Sequence, residues 1–262
     1  MSRLHLTFEC QGRTCVGTID TAPGTTGLLI VSGGNEIRSG AFQGQSRLAA
    51  RIAAAGFPVF RFDRRGVGDS DGENRGFRKS GKDIYAALEA FRAIAPNMQR
   101  VVAFGNCDAA SALMLAQGDL CDALVLSNPW TIEDDTGALP PAAVRSRYLE
   151  KLKNPRELLR LATGKVSLAR LAGGLRQATS RAPAPSSLAQ EMARGLDASG
   201  KPYVILLAAN DRTAQVFEAQ WPSDLSAENQ GEVRRCEGAS HAYVEPHARD
   251  WLDQQILAML RR

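Results

Sequence analysis

The sequence predicts an α/β fold, a mostly parallel eight-stranded sheet flanked by helices, with a helical lid inserted after the sixth strand. Three observations carry that prediction. Short apolar runs such as residues 27–32 and 100–104 alternate with stretches of helical length, the pattern of parallel strands joined by right-handed helical crossovers. Between the sixth and seventh runs lie about seventy residues that read as helical and basic. The chain, at 262 residues, is long enough for one large domain carrying such an insertion.

Taken in order, residues 4–10 and 14–21 alternate like two antiparallel strands joined by a turn containing Gly12. Residues 27–32 form a continuous apolar run ending in Gly33 and Gly34, which suits a strand buried on both faces. The pattern then turns helical over 42–55, and residues 58–63 make another strand. A helix over 82–95, a strand over 100–104, a helix over 109–117 and a strand over 122–127 follow. Residues 201–208 and 232–237 supply the last two strands, and 247–260 a closing helix. The core is therefore expected over 1–130 and 201–262, and the lid over 131–200, with a Pro/Ser break at 182–187.

Composition narrows the function classes. Hydrophobic and charged fractions of 44% and 23% are those of an ordinary soluble globular protein. No stretch reaches the 18 or so apolar residues of a membrane span, and the N-terminus alternates where a signal peptide has an apolar core, so a cytoplasmic location is expected. Five cysteines, Cys10, Cys15, Cys107, Cys121 and Cys236, are scattered without C-x-x-C spacing. Neither a disulfide framework nor a metal site is indicated, and no cofactor is expected. The net charge of +4 is concentrated, since residues 141–201 hold 12 Lys or Arg against 4 Asp or Glu. This basic segment reads as a solvated helix face, or as a guide for an anionic substrate through Arg145, Arg147, Lys151, Lys153, Arg156 and Arg160. It has few aromatics for stacking, which argues against nucleic acid.

The chemistry is concentrated at strand ends. Residues 100–111, RVVAFGNCDAAS, read as a buried strand that turns at Gly105 into a helix, with Cys107 at the corner: a nucleophile elbow carrying sulfur. A thiol at the first turn of a helix meets unpaired N–H groups and the positive end of the dipole, which favour the thiolate. The N–H of Asp108 would point into the same space and hold an oxyanion. The competing reading makes Cys107 a small core hydrophobe.

A cysteine nucleophile needs a base, and the base needs a carboxylate to orient it. Of three histidines, His5 lies in the first, outer strand and His247 opens the last helix. His241 lies in the loop just after the last strand, at the carboxyl end where α/β sheets place their sites. Asp211 ends the segment LLAANDRT and suits the orienting acid; it equally suits the N-cap of the next helix, and the two roles are compatible. Nucleophile, acid and base then run in the chain order Cys107, Asp211, His241.

With these residues in place, the segment FDRRGVGDSDG over 62–72 resembles the D-x-R-G-x-G-x-S segment of α/β-hydrolase esterases and thioesterases, and the elbow, Asp211 and His241 resemble their triad. The resemblance covers nearly the whole chain outside the lid and implies the α/β-hydrolase fold. It makes Ser32–Glu36 the counterpart of the family's HG-type loop, so that Gly34 or Asn35 gives the second oxyanion N–H. Ser32 stands where the family has His, and Ala109 where the elbow has Gly. The glycines of 66–72 lack dinucleotide-binding spacing and imply a structural turn.

The chain is more closely similar to the bacterial exosortase A system-associated hydrolases, which share the Gly-Gly loop, the FDxRGxGDSxG segment and a cysteine followed by Asp. Membership implies a gene neighbourhood concerned with exopolysaccharide and protein sorting. Three functions stay open at this point. The first is an acyl hydrolase of esterase or thioesterase type, acting on a small acyl substrate such as an acyl-CoA or acyl-carrier thioester. The second is an acyltransferase using the same triad, and the third a non-catalytic scaffold in polysaccharide assembly.

Overall fold

The computed structural model describes residues 2–116, 121–133, 186–221 and 231–262. Eight strands form one sheet: β1 (Arg3–Cys10), β2 (Arg13–Asp20), β3 (Thr26–Val31), β4 (Val59–Phe62), β5 (Arg100–Asn106), β6 (Ala123–Ser127), β7 (Tyr203–Ala208) and β8 (Gly231–Cys236). Their order is β1-β2-β4-β3-β5-β6-β7-β8. Only β2 runs against its neighbours, pairing antiparallel with β1 and β4. The β1–β2 hairpin turns on Gln11 and Gly12, both at positive φ, as a two-residue turn between right-twisted strands requires.

Because side chains alternate across a strand, the apolar runs feed two cores. Leu28, Ile30, Val102 and Phe104 face one side, against α1 (Gly44–Ala54) and α6 (Pro246–Leu260). Leu29, Val31, Val101 and Ala103 face the other, against α2 (Gly81–Ile94), α3 (Asp108–Leu115), α4 (Ser187–Ser199) and α5 (Arg212–Gln220). Two helix layers covering a parallel sheet explain why its central strands are apolar throughout. Among the described residues no helix is long and apolar enough to cross a membrane.

The expected lid, including Arg145 to Arg160, falls on 134–185, outside the described residues. Of the 131–200 span, α4 is described and belongs to the packed layer: Leu188, Met192 and Leu196 are buried in the same cluster as α3. Ser186 starts this helix by accepting the Ala189 N–H, so part of the Pro/Ser break is a helix cap.

β5 lies between β3 and β6, with Gly105 opposite both Val31 and Leu126. The turns leaving β3, β4, β5, β6, β7 and β8 therefore meet at one edge of the sheet, with the β5–α3 corner near the middle.

Candidate active site

The β5–α3 corner is built for one exposed side chain. Cys107 sits at φ 61°, ψ −129°, a conformation that non-glycine residues rarely adopt and that active sites tolerate. Its N–H is held by the Ser127 carbonyl at 2.9 Å. Its own carbonyl accepts the N–H groups of Ala110 and Ser111, closing the first turn of α3. The corner needs glycine at 105, since a Cβ there would stand 2.7 Å from the Ala109 carbonyl carbon. Ala109 itself is fully buried, so its methyl group is accommodated.

Cys107 differs from the other four cysteines. It alone is half-buried, whereas Cys10, Cys15, Cys121 and Cys236 are buried. Burial pushes the Cys15 thiol up to about 11 and the Cys121 thiol up to about 12, which keeps both protonated and inert.

His241 and Asp211 come together from the loops after β8 and β7. The ring Nδ1 lies 2.9 Å from Asp211 Oδ2. Asp211 also caps α5, its carboxylate accepting the N–H groups of Thr213 at 3.2 Å and Ala214 at 3.1 Å. Asp211 thus caps α5 and contacts His241 with the same carboxylate. The imidazole is pushed up from its ordinary value to about 10, first by the Asp211 carboxylate and then by its hydrogen bond with the Cys107 side chain, against desolvation. One ring nitrogen thus meets the Asp211 carboxylate, and the Cys107 side chain is near enough to raise the ring's pKa. The other histidines are elsewhere: His5 Nδ1 lies 3.0 Å from Thr18 Oγ1, and His247 Nε2 3.0 Å from the Glu237 carbonyl.

The loop after β3 lies over α3. Gly34 donates its N–H to Asp108 Oδ1 at 2.6 Å, so this candidate oxyanion donor is already engaged. The N–H groups of Asp108 and Asn35 have no partner among the described residues. Ser32, where the family has His, binds Gln45 Oε1 at 2.8 Å.

Sequence reasoning did not find the residues that hold the histidine loop. Asn128, fully buried at the end of β6 with φ 43°, donates to Asn106 Oδ1 at 3.0 Å and to the His241 carbonyl at 3.3 Å, and accepts the Ala208 N–H at 2.8 Å. Asn106 donates to the same His241 carbonyl at 3.2 Å. Ser127 Oγ and Tyr243 OH are 2.9 Å apart. An asparagine at a strand's carboxyl end, just before a proline, was the available signal for Asn128.

A cavity of about 480 Å³ adjoins His241 and Asn106. Phe104, Leu48, Tyr243 and Leu252 line it, with Phe42 at its mouth. Its size suits a small organic group, its lining also includes Glu36, Arg47, Arg51 and Arg249, and neither Cys107 nor Asp211 is among the lining residues. A larger cleft of about 1110 Å³, lined by Phe8, Phe77 and Tyr85, includes none of Cys107, Asp211 or His241. No cluster of metal-ligating side chains occurs among the described residues.

With this geometry described, the comparisons with known proteins can be read. The profile of the alpha/beta hydrolase family matches residues 28–254. The chain belongs to the alpha/beta hydrolase family. That membership places it among hydrolytic enzymes, and solved structures give the same fold. One similar structure is the esterase Pf2001 of Pyrococcus furiosus, at TM-score 0.65 and 14% identity over 100% of this chain and 92% of that one. Another is the alpha/beta hydrolase GrgF from Penicillium sp. sh18, at TM-score 0.68 and 19% identity over 100% and 99%. A third is Est1E from Butyrivibrio proteoclasticus with ferulic acid bound, at TM-score 0.60 and 15% identity over 98% and 100%. No curated protein matches this hydrolase.

Proposed function

We propose that this hydrolase cleaves small acyl esters or thioesters through a covalent intermediate on Cys107. The observation that carries the reading is the placement of His241, with Asp211 2.9 Å from Nδ1 and the Cys107 side chain near enough to raise its pKa. Asp211 fixes the tautomer and favours the imidazolium. Sγ, its proton already held by the His241 ring whose raised pKa keeps it protonated near neutral pH, bonds to the acyl carbon, and the carbonyl oxygen takes the negative charge. The tetrahedral adduct collapses, and the leaving oxygen or sulfur takes the proton from His241. Water then gives a proton to His241 and attacks the thioester, releasing the acid and restoring the thiol.

Sulfur supports activated substrates, since a thiolate is a good leaving group and its acyl adduct is itself reactive. Thioesters, lactones and enol esters are the classes favoured. The ester chemistry named for structures of this fold, in Pf2001 and Est1E, points the same way. The cysteine at the elbow also supports a second outcome, transfer of the acyl group to an amine, alcohol or thiol. The similarity to exosortase A system-associated hydrolases belongs to this proposal, and with it a role in exopolysaccharide assembly.

The test compares the parent with Cys107→Ala on p-nitrophenyl acetate and on a short acyl thioester. The variant is expected to lose at least about 10³-fold in kcat. Mass spectrometry of the parent should show an acyl adduct on Cys107 that decays in water, and faster when an amine is added if transfer operates. Turnover by Cys107→Ala at the parental rate would overturn the mechanism.

A further inference from the structure

We propose that Arg64 is a positioning residue for this reaction: by anchoring the Gly34 carbonyl it turns the Asn35 N–H toward the cleft as the second oxyanion donor. The inference deepens the Cys107 reading and rests on it.

Arg64 follows β4 and is 3% exposed. Its Nη2 donates to the Gly34 carbonyl oxygen, while Nε and Nη1 have no partner among the described residues. Desolvation pulls its pKa down, partly offset by the charges of Asp108 and Asp83. A buried guanidinium with two unpaired nitrogens is costly, and an apolar side chain would fill the space at lower cost. The one bond it makes gives the reason for its place.

That bond completes a clamp. Gly34 gives its N–H to Asp108 on one side and its carbonyl to Arg64 on the other. Gly33 lets the carboxylate come so close, because a Cβ there would lie 2.4 Å from Asp108 Oδ1. The Gly34–Asn35 peptide is trans, so the Asn35 N–H points opposite to the Gly34 carbonyl and away from the buried guanidinium. A turn closed by Glu36 N–H on the Gly33 carbonyl at 2.9 Å holds the loop, and Asn74 donates to Asn35 Oδ1 at 2.8 Å. Gly34 sits at φ 52° and carries no side chain, so its backbone torsions alone do not fix the orientation of the following peptide. The Arg64 anchor selects the orientation. The same guanidinium also offsets the Asp108 carboxylate, which otherwise places negative charge beside a developing oxyanion.

The experiment separates oxyanion stabilisation from thiol reactivity. Alkylation of Cys107 by iodoacetamide forms no oxyanion, whereas turnover of p-nitrophenyl acetate does. Arg64→Met is expected to lower kcat by about 10²-fold with little change in KM, while the alkylation rate stays within about twofold of the parent. Arg64→Lys, which keeps one cationic donor, should recover part of the loss. Asn35→Pro deletes the backbone N–H at issue together with the side chain that binds Asn74, and Asn35→Ala deletes the side chain alone; the split is expected in Asn35→Pro and not in Asn35→Ala, which decides the matter if Arg64→Met does not fold. An equal loss in alkylation and turnover, or an unchanged kcat in Asn35→Pro, would overturn the proposal. Failure of the Cys107 mechanism would look different, because Cys107→Ala would keep its turnover.

Discussion

The two flanks of the elbow are held by different kinds of bonds. On the β3–β4 side the groups are charged: buried Asp63 accepts the Arg38 side chain, the Arg38 N–H and the Asp69 N–H, and buried Arg61 lies 3.5 Å from Asp20. On the β6–β8 side the histidine loop is held mainly by neutral amides and hydroxyls, from Asn106, Asn128, Ser127 and Tyr243. A further carboxylate against the ring would compete with Asp211 for the imidazolium. Holding His241 by its own carbonyl leaves the ring to Asp211 and Cys107. The flank proposed to hold the oxyanion has the opposite need, because Asp108 already places a carboxylate there, which cations offset.

Asp211→Asn should break the neutral flank most severely. Asn still caps α5 but no longer favours the imidazolium, so kcat is expected to fall by about 10³- to 10⁴-fold with the fold intact. The same pair has a pH signature. The His241 pKa is raised to about 10 from an ordinary 6.5. A raised value stabilises the fold fully below about 6.5 and loses that contribution as pH climbs through about 10. Urea unfolding at pH 6 and at pH 10 should therefore show a gap between parent and Asp211→Asn that narrows at the higher pH. A constant gap would contradict the pairing.

Asp63→Asn tests the charged flank. It removes the buried partner of the Arg38 guanidinium, leaving it Thr18 and the exposed Asp69, and should cost about 3 kcal/mol of folding stability. Asn128→Ala removes neutral bonds to Asn106, Ala208 and the His241 carbonyl, and should cost about 2 kcal/mol. Equilibrium unfolding of both variants checks the order. A larger loss for Asn128→Ala would reverse the comparison.

These flanks were also unequally legible. The strands, the elbow and the order of Cys107, Asp211 and His241 were readable because apolar periodicity and glycine placement are local. Their ends were less so: β5 runs on to Asn106 because Gly105 and Asn106 still pair with neighbouring strands after the apolar run stops. The helix expected from residue 42 starts at Gly44, since Phe42 and Gln43 take left-handed conformations. Asn128, Tyr243 and Arg64 were not readable, because their partners come from strands distant in sequence and depend on register. Gly34 was one of two candidates, with Asn35, for the second oxyanion N–H, and its N–H meets Asp108 only once the loop after β3 is laid over α3.

The strand order has a consequence for synthesis. From β5 onward each new strand joins the edge left by the one before, β6, then β7, then β8. The sheet on that side can therefore grow in step with the emerging chain. The loop with His241 arrives after the last strand, and α6 ties back to α1 through the Arg51–Asp253 pair, 202 residues apart. Cys107 is thus synthesised long before the His241 proposed to serve it, and the two can meet only when the last strand and helix have docked. The proposed site is therefore assembled last, and turnover would report completion of the whole domain.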